Sequence, residues 1–126
     1  MRIGDLAEKA GVTPRTIRYY ESLGLLRPHD RSGAGYRHYG EAELKRLRKI
    51  DALKELGLSL DEIASVINLY FEDPSGLKGK RKVLSILESH LHESEEKIEA
   101  LEQFCSELRT SIGRMRGHIA ETAHRA

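Results

Sequence analysis

The sequence contains little cysteine and no long apolar run. Cys105 is the single cysteine among 126 residues, which excludes an intramolecular disulfide. No apolar stretch approaches the roughly 20 residues that span a bilayer, and the amino terminus lacks the apolar segment of a secretion signal. We therefore expect a soluble, cytoplasmic protein that has no membrane partner.

Residue groupings typical of an active site are also absent from the sequence. We find no nucleophile paired with a base, no glycine-rich phosphate loop and no cluster of metal ligands. His90 and His92 are two positions apart and point to different sides of a helix, which makes them poor joint ligands. The sequence therefore predicts no enzymatic activity, no cofactor and no metal site.

The chain has almost no net charge, but its charges are unevenly distributed. The formal charge of +1 would argue against a nucleic-acid partner only if it were evenly spread. Residues 1–58 hold 12 Lys and Arg against 8 Asp and Glu, a net of +4, whereas residues 59–126 hold 9 against 12, a net of −3. The first half is therefore the candidate for binding phosphate.

Two short helices joined by a tight turn are predicted at the start of the chain. An amphipathic helix over residues 3–10 stops at Gly11. Thr13 suits the N-cap of a second helix because its hydroxyl can accept an unpaired backbone N–H, and Pro14 suits the first helical position. We expect this second helix to end at about Leu23.

Residues 25–39 have the composition of a β-hairpin, which we call the wing. The glycine-rich segment 32–35 suits a flexible tip, and residues 36–39 favour a strand. A third helix is predicted after the wing, from about Glu41 to Leu56. Its apolar residues are Leu44, Leu47, Ile50 and Leu53.

A fourth helix is predicted to begin at a capping box. Ser59 is its N-cap and Glu62 the third helical residue, a spacing that lets each side chain bond the backbone N–H of the other. We expect this helix to end at about Phe71, since residues 73–76 contain proline and glycine.

From about Lys80 onward the sequence has no proline and carries a regular apolar stripe. The spacing alternates between three and four for roughly five heptads, interrupted only by Ser94, which is typical of a coiled coil. Such a stripe cannot be buried within so small a domain and predicts a partner helix. The stripe comprises Leu84, Leu87, Leu91, Ile98, Leu101, Cys105, Leu108, Ile112, Met115 and Ile119.

Charged residues beside the stripe favour an antiparallel pair of helices. With Leu84 at heptad position a, the first e positions are acidic and the last two are basic. An antiparallel dimer pairs these opposite charges, at the cost of one close Glu102 pair, whereas a parallel dimer pairs Lys97 with Glu102 of the partner. The five e positions are Glu88, Glu95, Glu102, Arg109 and Arg116.

The second helix of a helix-turn-helix lies in the DNA major groove with its early residues at base edges. Arg15 and Thr16 are then placed to read bases, while Ile17 faces inward and Arg18 and Tyr19 are better placed for phosphates. A plain helical bundle with solvated charges is the alternative interpretation. The wing adds a basic and aromatic mixture that suits backbone contacts, namely Arg27, Arg31, Tyr36, Arg37 and Tyr39.

Several segments of the first 70 or so residues together resemble the MerR family of bacterial transcription regulators. They are Ile3-Gly4-Asp5-Leu6-Ala7, Gly11-Val12, Thr16-Ile17-Arg18-Tyr19-Tyr20-Glu21, Gly24-Leu25-Leu26, Gly35-Tyr36-Arg37-His38-Tyr39 and Leu56-Gly57-Leu58-Ser59-Leu60-Asp61-Glu62-Ile63.

The resemblance implies a mainly α fold, in which a winged helix-turn-helix precedes a long antiparallel coiled-coil dimerisation helix. It also implies a homodimer that binds a pseudo-palindromic promoter operator and bends and untwists the DNA for RNA polymerase. Arg18, Tyr19, Tyr36 and Arg37 are the implied DNA contacts. The corresponding domains are residues 1–72, a linker at 73–79, the dimerisation helix at 80–122 and a tail at 123–126.

Where an inducing signal enters is left open by the sequence. Metal-sensing members of the family place cysteines around the dimerisation helix, whereas this chain has Gly76, Leu77 and Lys78 at its start. Cys105 suits a small buried hydrophobe, with redox sensing as the alternative. The basic run from Lys78 to Lys82 suits either a solvated linker or a phosphate contact. No separate effector domain is expected, and any small-molecule effector is unidentified.

Two other functions remain as alternatives. An architectural DNA-binding protein of the excisionase type would bind several direct sites and dimerise little in solution. A helical protein–protein adaptor would have no salt-sensitive DNA affinity. The heptads, sustained with Ser94 as the single interruption, argue against the first of these, and the grouping of Arg and Tyr argues against the second.

Overall fold

The computed structural model describes residues 1–28, 30–31 and 37–125. These residues form two compact units, Met1–Ile86 and the part of the chain from Leu87 onward. The elements are α1 (Ile3–Ala10), α2 (Pro14–Ser22), β1 (Asp30–Arg31), β2 (Arg37–His38), α3 (Glu41–Glu55), α4 (Leu60–Val66), a 3-10 segment (Ile67–Phe71) and α5 (Leu77–Arg125).

The turn between α1 and α2 forms as the sequence predicts. Gly11 ends α1 with φ of 72°, a left-handed conformation that glycine adopts without steric cost. The hydroxyl of Thr13 accepts the backbone N–H of Thr16 at 3.1 Å, so Thr13 is the N-cap and Pro14 the first helical residue of α2. The predicted caps are confirmed.

The core of the first unit is built around α3. Leu44, Leu47, Ile50 and Leu53 are all buried, which confirms the predicted inner face of this helix. Burying side chains of this size contributes roughly 1.5 to 3 kcal/mol each. The core is completed by other elements, through Leu6, Ile17, Leu25, Leu26, Tyr39, Ile63 and Ile67.

The wing is a short antiparallel ribbon. β1 pairs with β2, so that Asp30 lies opposite His38 and Arg31 opposite Arg37. The predicted hairpin is confirmed over these residues, but its first strand begins at Asp30. Leu25 and Leu26, which we assigned to the hairpin, are each 1% exposed. They anchor the wing in the core instead. The predicted tip at 32–35 lies outside the described residues.

The fourth helix begins as predicted and ends earlier. Ser59 Oγ accepts the N–H of Glu62 at 3.2 Å, and Glu62 Oε1 accepts the N–H of Ser59 at 2.9 Å, which is the predicted capping box. The α-helical part stops at Val66, and the chain continues as a 3-10 segment to Phe71. The expected single helix is thus an α-helix with a tightened carboxyl end.

The long helix α5 is longer than the sequence predicts at both ends. It begins at Leu77 rather than Lys80 and continues to Arg125. The earlier start has a cap: Ser75 Oγ donates to Asp73 Oδ1 and accepts the N–H of Leu77 at 3.2 Å. Hydrogen bonds, first from Ser75 and then from the backbone, hold the pKa of Asp73 below its usual value. The predicted linker therefore shortens, while the division into domains stays a prediction.

Tyr70 packs tightly against the start of α5. A Cβ added to Gly79 would lie 2.5 Å from a carbon of the Tyr70 ring, and one added to Gly76 would lie 3.3 Å from it. The ammonium of Lys49 lies 4.5 Å from the centroid of the same ring, and burial raises the pKa of the phenol. Tyr70 therefore joins α3 to the first turns of α5.

Within the described residues, no helix is both long enough and apolar enough to cross a membrane.

Candidate nucleic-acid interface

The orientation of α2 is set by two buried side chains. Ile17 is fully buried and Tyr20 is 2% exposed, as their spacing of three residues on one helical face requires. With these two turned into the core, Arg15, Arg18 and Tyr19 are exposed on the outer face. The predicted inward direction of Ile17 is confirmed, and the candidate DNA contacts lie on the surface.

Tyr20 is an anchor of this helix that the sequence analysis did not single out. The ammonium of Lys54 donates a hydrogen bond to the Tyr20 hydroxyl at 3.1 Å, and this bond is the largest cause of a raised pKa of Lys54. Lys54 belongs to α3, so the contact ties the recognition helix to the central core helix. The signal that identifies Tyr20 is its position three residues after Ile17.

The side chain of Thr16 is less free to move than that of a fully exposed base-contacting residue. Its hydroxyl lies 3.0 Å from the hydroxyl of Thr13, and its side chain is half-buried. Because the hydroxyl already has a partner at the helix cap, the methyl group is the part that Thr16 can offer to a thymine.

Three exposed arginines on and after α2 form no ion pair with the described acidic residues. Within residues 1–28, 30–31 and 37–125, no ion pair or hydrogen bond engages the side chains of Arg15, Arg18 or Arg27. All three are exposed. Guanidinium groups without an acidic partner are available to the phosphates and guanine edges of DNA.

Tyr39 occupies a different place from the one the sequence analysis assigned. The side chain is 2% exposed, and its hydroxyl donates to Glu21 Oε1 at 3.0 Å. Its backbone N–H donates to the Met1 carbonyl at 2.7 Å, and the Met1 ammonium donates to the Tyr39 carbonyl at 2.7 Å. A buried ring cannot grip the DNA backbone, so this part of the prediction does not fit the structure. Tyr39 instead ties the end of the wing to α2.

Replacing Tyr39 by Phe separates this positioning role from direct contact. We expect Tyr39→Phe to lower the free energy of unfolding by about 1 kcal/mol, because a partly buried hydrogen bond to a carboxylate is lost. The matched variant Tyr19→Phe, at a position 53% exposed, should leave stability unchanged and weaken DNA binding. Urea unfolding and DNA titration of both variants test the pair. Equal stability of Tyr39→Phe and wild type would contradict this role.

Of the other wing residues predicted to contact DNA, Arg31 and Arg37 lie in the paired strands. Arg37 lies in β2 and Arg31 in β1, so their backbone positions are known, whereas Tyr36 lies outside the described residues. Because the two strands pair, Arg31 and Arg37 are opposite one another in the ribbon. Their proposed contacts with DNA stay predictions.

Arg46 stabilises the root of the wing, a role that was not predicted from the sequence. Its Nε donates to the Leu25 carbonyl at 2.5 Å, and its Nη2 donates to Asn68 Oδ1 at 2.8 Å. The guanidinium also lies 5.9 Å from the ring centroid of Phe71. One side chain of α3 thus holds both the root of the wing and the 3-10 segment. An arginine on a helix gives no sequence signal for such a role.

The apolar stripe is exposed along α5. Leu87 and Cys105 are half-exposed, and Cys105 is a free thiol. A hollow of about 250 Å³ lies on the stripe between Ile98, Leu101, Glu102, Cys105 and Arg109. The remaining stripe residues are 44% to 62% exposed, namely Leu84, Leu91, Ile98, Leu101, Leu108, Ile112, Met115 and Ile119.

In the part of the chain that the structure describes, no group of three or more His, Cys, Asp or Glu side chains is arranged to hold a metal ion. His92 forms an exposed pair with Glu96 at 3.0 Å one helical turn away.

Two protein-family models match the sequence of this chain. The model of the MerR HTH family of regulatory proteins matches residues 1–69. A second model, described as MerR, DNA binding, matches residues 44–110. The two matches overlap and together cover the helix-turn-helix, the wing, the fourth helix and most of α5.

Individual relatives give the same result. The chain is 43% identical over 101 residues to an HTH-type transcriptional regulator of Pseudomonas aeruginosa, covering 80% of this chain and 74% of that protein. It is 34% identical to the HTH-type transcriptional regulator HmrR of Rhizobium leguminosarum, covering 98% and 87%. The crystal structure of the transcription regulator PbrR691 from Ralstonia metallidurans, in complex with lead(II), is similar with a TM-score of 0.70, 33% identity and coverage of 86% and 84%.

Proposed function

The chain belongs to the MerR family of helix-turn-helix regulatory proteins, and from this premise we propose that it regulates transcription by binding promoter DNA in a sequence-specific manner. The observation that carries the proposal is the outer face of α2. Arg15, Arg18 and Tyr19 project from a helix whose opposite side is locked into the core by Ile17 and Tyr20. A rigid helix with outward cations suits insertion into the major groove.

The DNA contacts divide by chemistry. We assign base reading to Arg15 and to the methyl group of Thr16, and phosphate contacts to Arg18, Tyr19 and Arg27. Among the wing residues, Tyr36 and Arg37 are proposed backbone contacts. Tyr39 positions the wing from inside the core, because its side chain is buried.

A homodimer joined by antiparallel α5 helices is the proposed binding unit. Its support is the stripe of exposed apolar side chains at coiled-coil spacing. The hollow around Leu101 and Cys105 resembles the hole that accepts a partner's side chain in such a pair. The charge order at the e positions supports the antiparallel orientation, with Glu88 facing Arg116 of the partner and Glu95 facing Arg109 of the partner.

The dimer would place two recognition helices at a fixed separation on a pseudo-palindromic operator. Two rigid half-sites that do not match relaxed DNA store deformation energy in the base pairs between them. Regulation then follows from bending and untwisting of the promoter, which changes how RNA polymerase meets its elements. The protein acts on the shape of DNA and is not proposed to catalyse a reaction.

The first test is the substitution of Arg18 by Ala. We expect operator affinity to fall by about 1 to 3 kcal/mol, and the slope of log affinity against log salt concentration to decrease by about 1 for a lost phosphate contact. Fluorescence titration of promoter fragments from its own genome, repeated across a salt series, measures both. Arg114→Ala, which removes the same charge from an exposed position of α5, is the matched control.

The alternatives predict different outcomes of this experiment. Salt-sensitive binding of a dimer to one pseudo-palindrome, weakened by Arg18→Ala alone, supports the regulator. An excisionase-like protein would bind several direct sites cooperatively as a monomer. An absence of site-selective binding at every salt concentration, with the dimer intact, would favour the helical adaptor.

A further inference from the structure

A cleft of about 480 Å³ opens beside the root of the wing. Its volume lies within the range of small-molecule sites. The polar side chains in its lining are Arg27, Glu43, Arg46 and Asn68, and Gly24, Leu26 and Ala42 complete it.

Two arginines, Arg27 and Arg46, line this cleft. Arg46 is half-buried, and burial followed by the positive charge of Arg27 lowers the pKa of its guanidinium. Over the described residues, neither guanidinium forms an ion pair with a carboxylate. An anion bound near both guanidiniums would offset this unfavourable interaction between like charges.

The donors of the cleft are fixed in place by the fold. Arg46 is held by the Leu25 carbonyl at 2.5 Å and by Asn68 Oδ1 at 2.8 Å, so its planar group loses little freedom on binding a ligand. Because Asn68 uses its carbonyl oxygen toward Arg46, its amide nitrogen retains its donors. With Nε and Nη2 of Arg46 used inside the protein, its Nη1 donors, the Arg27 guanidinium and the Asn68 amide are the groups that suit the oxygens of a phosphate.

Glu43 is the one acid in the lining, and its carboxylate is engaged elsewhere. Its Oε2 accepts the backbone N–H of Gly40 at 3.3 Å, as part of the cap of α3. The carboxylate thus serves the helix start, and two guanidiniums against one carboxylate leave the lining with a net positive charge.

We propose that this cleft binds a phosphate group through Arg27 and Arg46, with the Asn68 amide as a further donor. The phosphate comes either from the DNA backbone beside the operator contacts or from a free phosphate-bearing small molecule. The first source rests on the proposed function, whereas the second does not.

The test is an NMR titration of the full-length protein with inorganic phosphate at constant ionic strength. We expect saturable shifts at the amides of Gly24 and Ala42, with binding weakened about tenfold by Arg27→Gln, as for loss of one charge-assisted hydrogen bond. Arg48→Gln removes the same charge from an exposed position of α3 outside the cleft and should change binding less than about twofold. Unsaturable shifts, or equal weakening by both variants, would overturn the proposal.

Repeating the titration with operator DNA bound distinguishes the sources. If DNA supplies the phosphate, the operator displaces inorganic phosphate, and Arg27→Gln lowers the salt slope of operator binding by about 1. If a small molecule supplies it, the phosphate shifts persist in the DNA complex. Should the protein bind no operator at all, the titration of the free protein still tests the cleft, so the two failures are separable.

Discussion

Replacing Leu101 by Asp will convert the dimer to monomers and weaken operator binding by at least about a hundredfold. Leu101 is a d position of the stripe, 62% exposed on its own helix, and it faces the partner helix in the proposed dimer. An unpaired carboxylate buried in that seam costs about 3 to 5 kcal/mol, and each 1.4 kcal/mol is tenfold in an equilibrium constant. Analytical ultracentrifugation at micromolar concentration, together with DNA titration, measures both effects.

Gln103→Asp is the control for this substitution. It introduces the same charge two residues away, at heptad position f on the outer side of α5, and should leave the mass and the affinity unchanged. A dimer of wild-type stability in Leu101→Asp would show that the stripe is not the interface.

The single cysteine tests the orientation of the same dimer. In a parallel pair the two Cys105 side chains share a layer and should form a disulfide on mild oxidation. In the antiparallel pair they are displaced by about a helical turn or more, which exceeds disulfide geometry. We therefore expect no crosslinked dimer.

Replacing Gly79 by Ala will destabilise the first unit, although alanine favours helix more than glycine does. The new Cβ would lie 2.5 Å from the Tyr70 ring, which also lies against the Lys49 ammonium, 4.5 Å from the ring centroid. Overpacking of this kind costs about 1 to 3 kcal/mol, against a helix gain of at most about 1 kcal/mol. The expected net loss is up to about 2 kcal/mol once the full helix gain is subtracted, read from urea unfolding at one fixed protein concentration.

Gly113→Ala is the matched substitution in the same helix. Nothing lies within 4 Å of a Cβ built at Gly113, so this variant should gain about 0.5 to 1 kcal/mol. Combining Gly79→Ala with Tyr70→Ala should remove the penalty, because the ring that meets the new methyl group is gone. If Gly79→Ala is as stabilising as Gly113→Ala, the Tyr70 contact does not constrain the start of α5.

The features that depend on near neighbours in the chain are predictable from the sequence. The Thr13 cap and the Ser59 capping box each depend on groups within three residues, so their geometry follows from local spacing. The inner face of α3 follows from the 3.6-residue period. The outward direction of Arg15 and Arg18 follows in the same way, once Ile17 is placed inside.

A side chain that suits two different locations is not placed by its local sequence. Tyr39 lies in a strand-prone run beside basic residues, and either a DNA contact or a core position suits that pattern. The choice depends on Glu21, 18 residues earlier, whose carboxylate accepts the Tyr39 hydroxyl. A contact over that separation has no local signature.

By itself the sequence determined the order of the elements, their caps and helical faces, the family and the coiled-coil stripe, because spacing between close neighbours specifies each of these. Only the tertiary structure decided that Tyr39 faces inward, that Arg46 joins Leu25 to Asn68, and that Tyr70 meets Gly79. Those contacts bring together residues from separate elements, whose relative placement is set by packing of the whole core rather than by any local pattern.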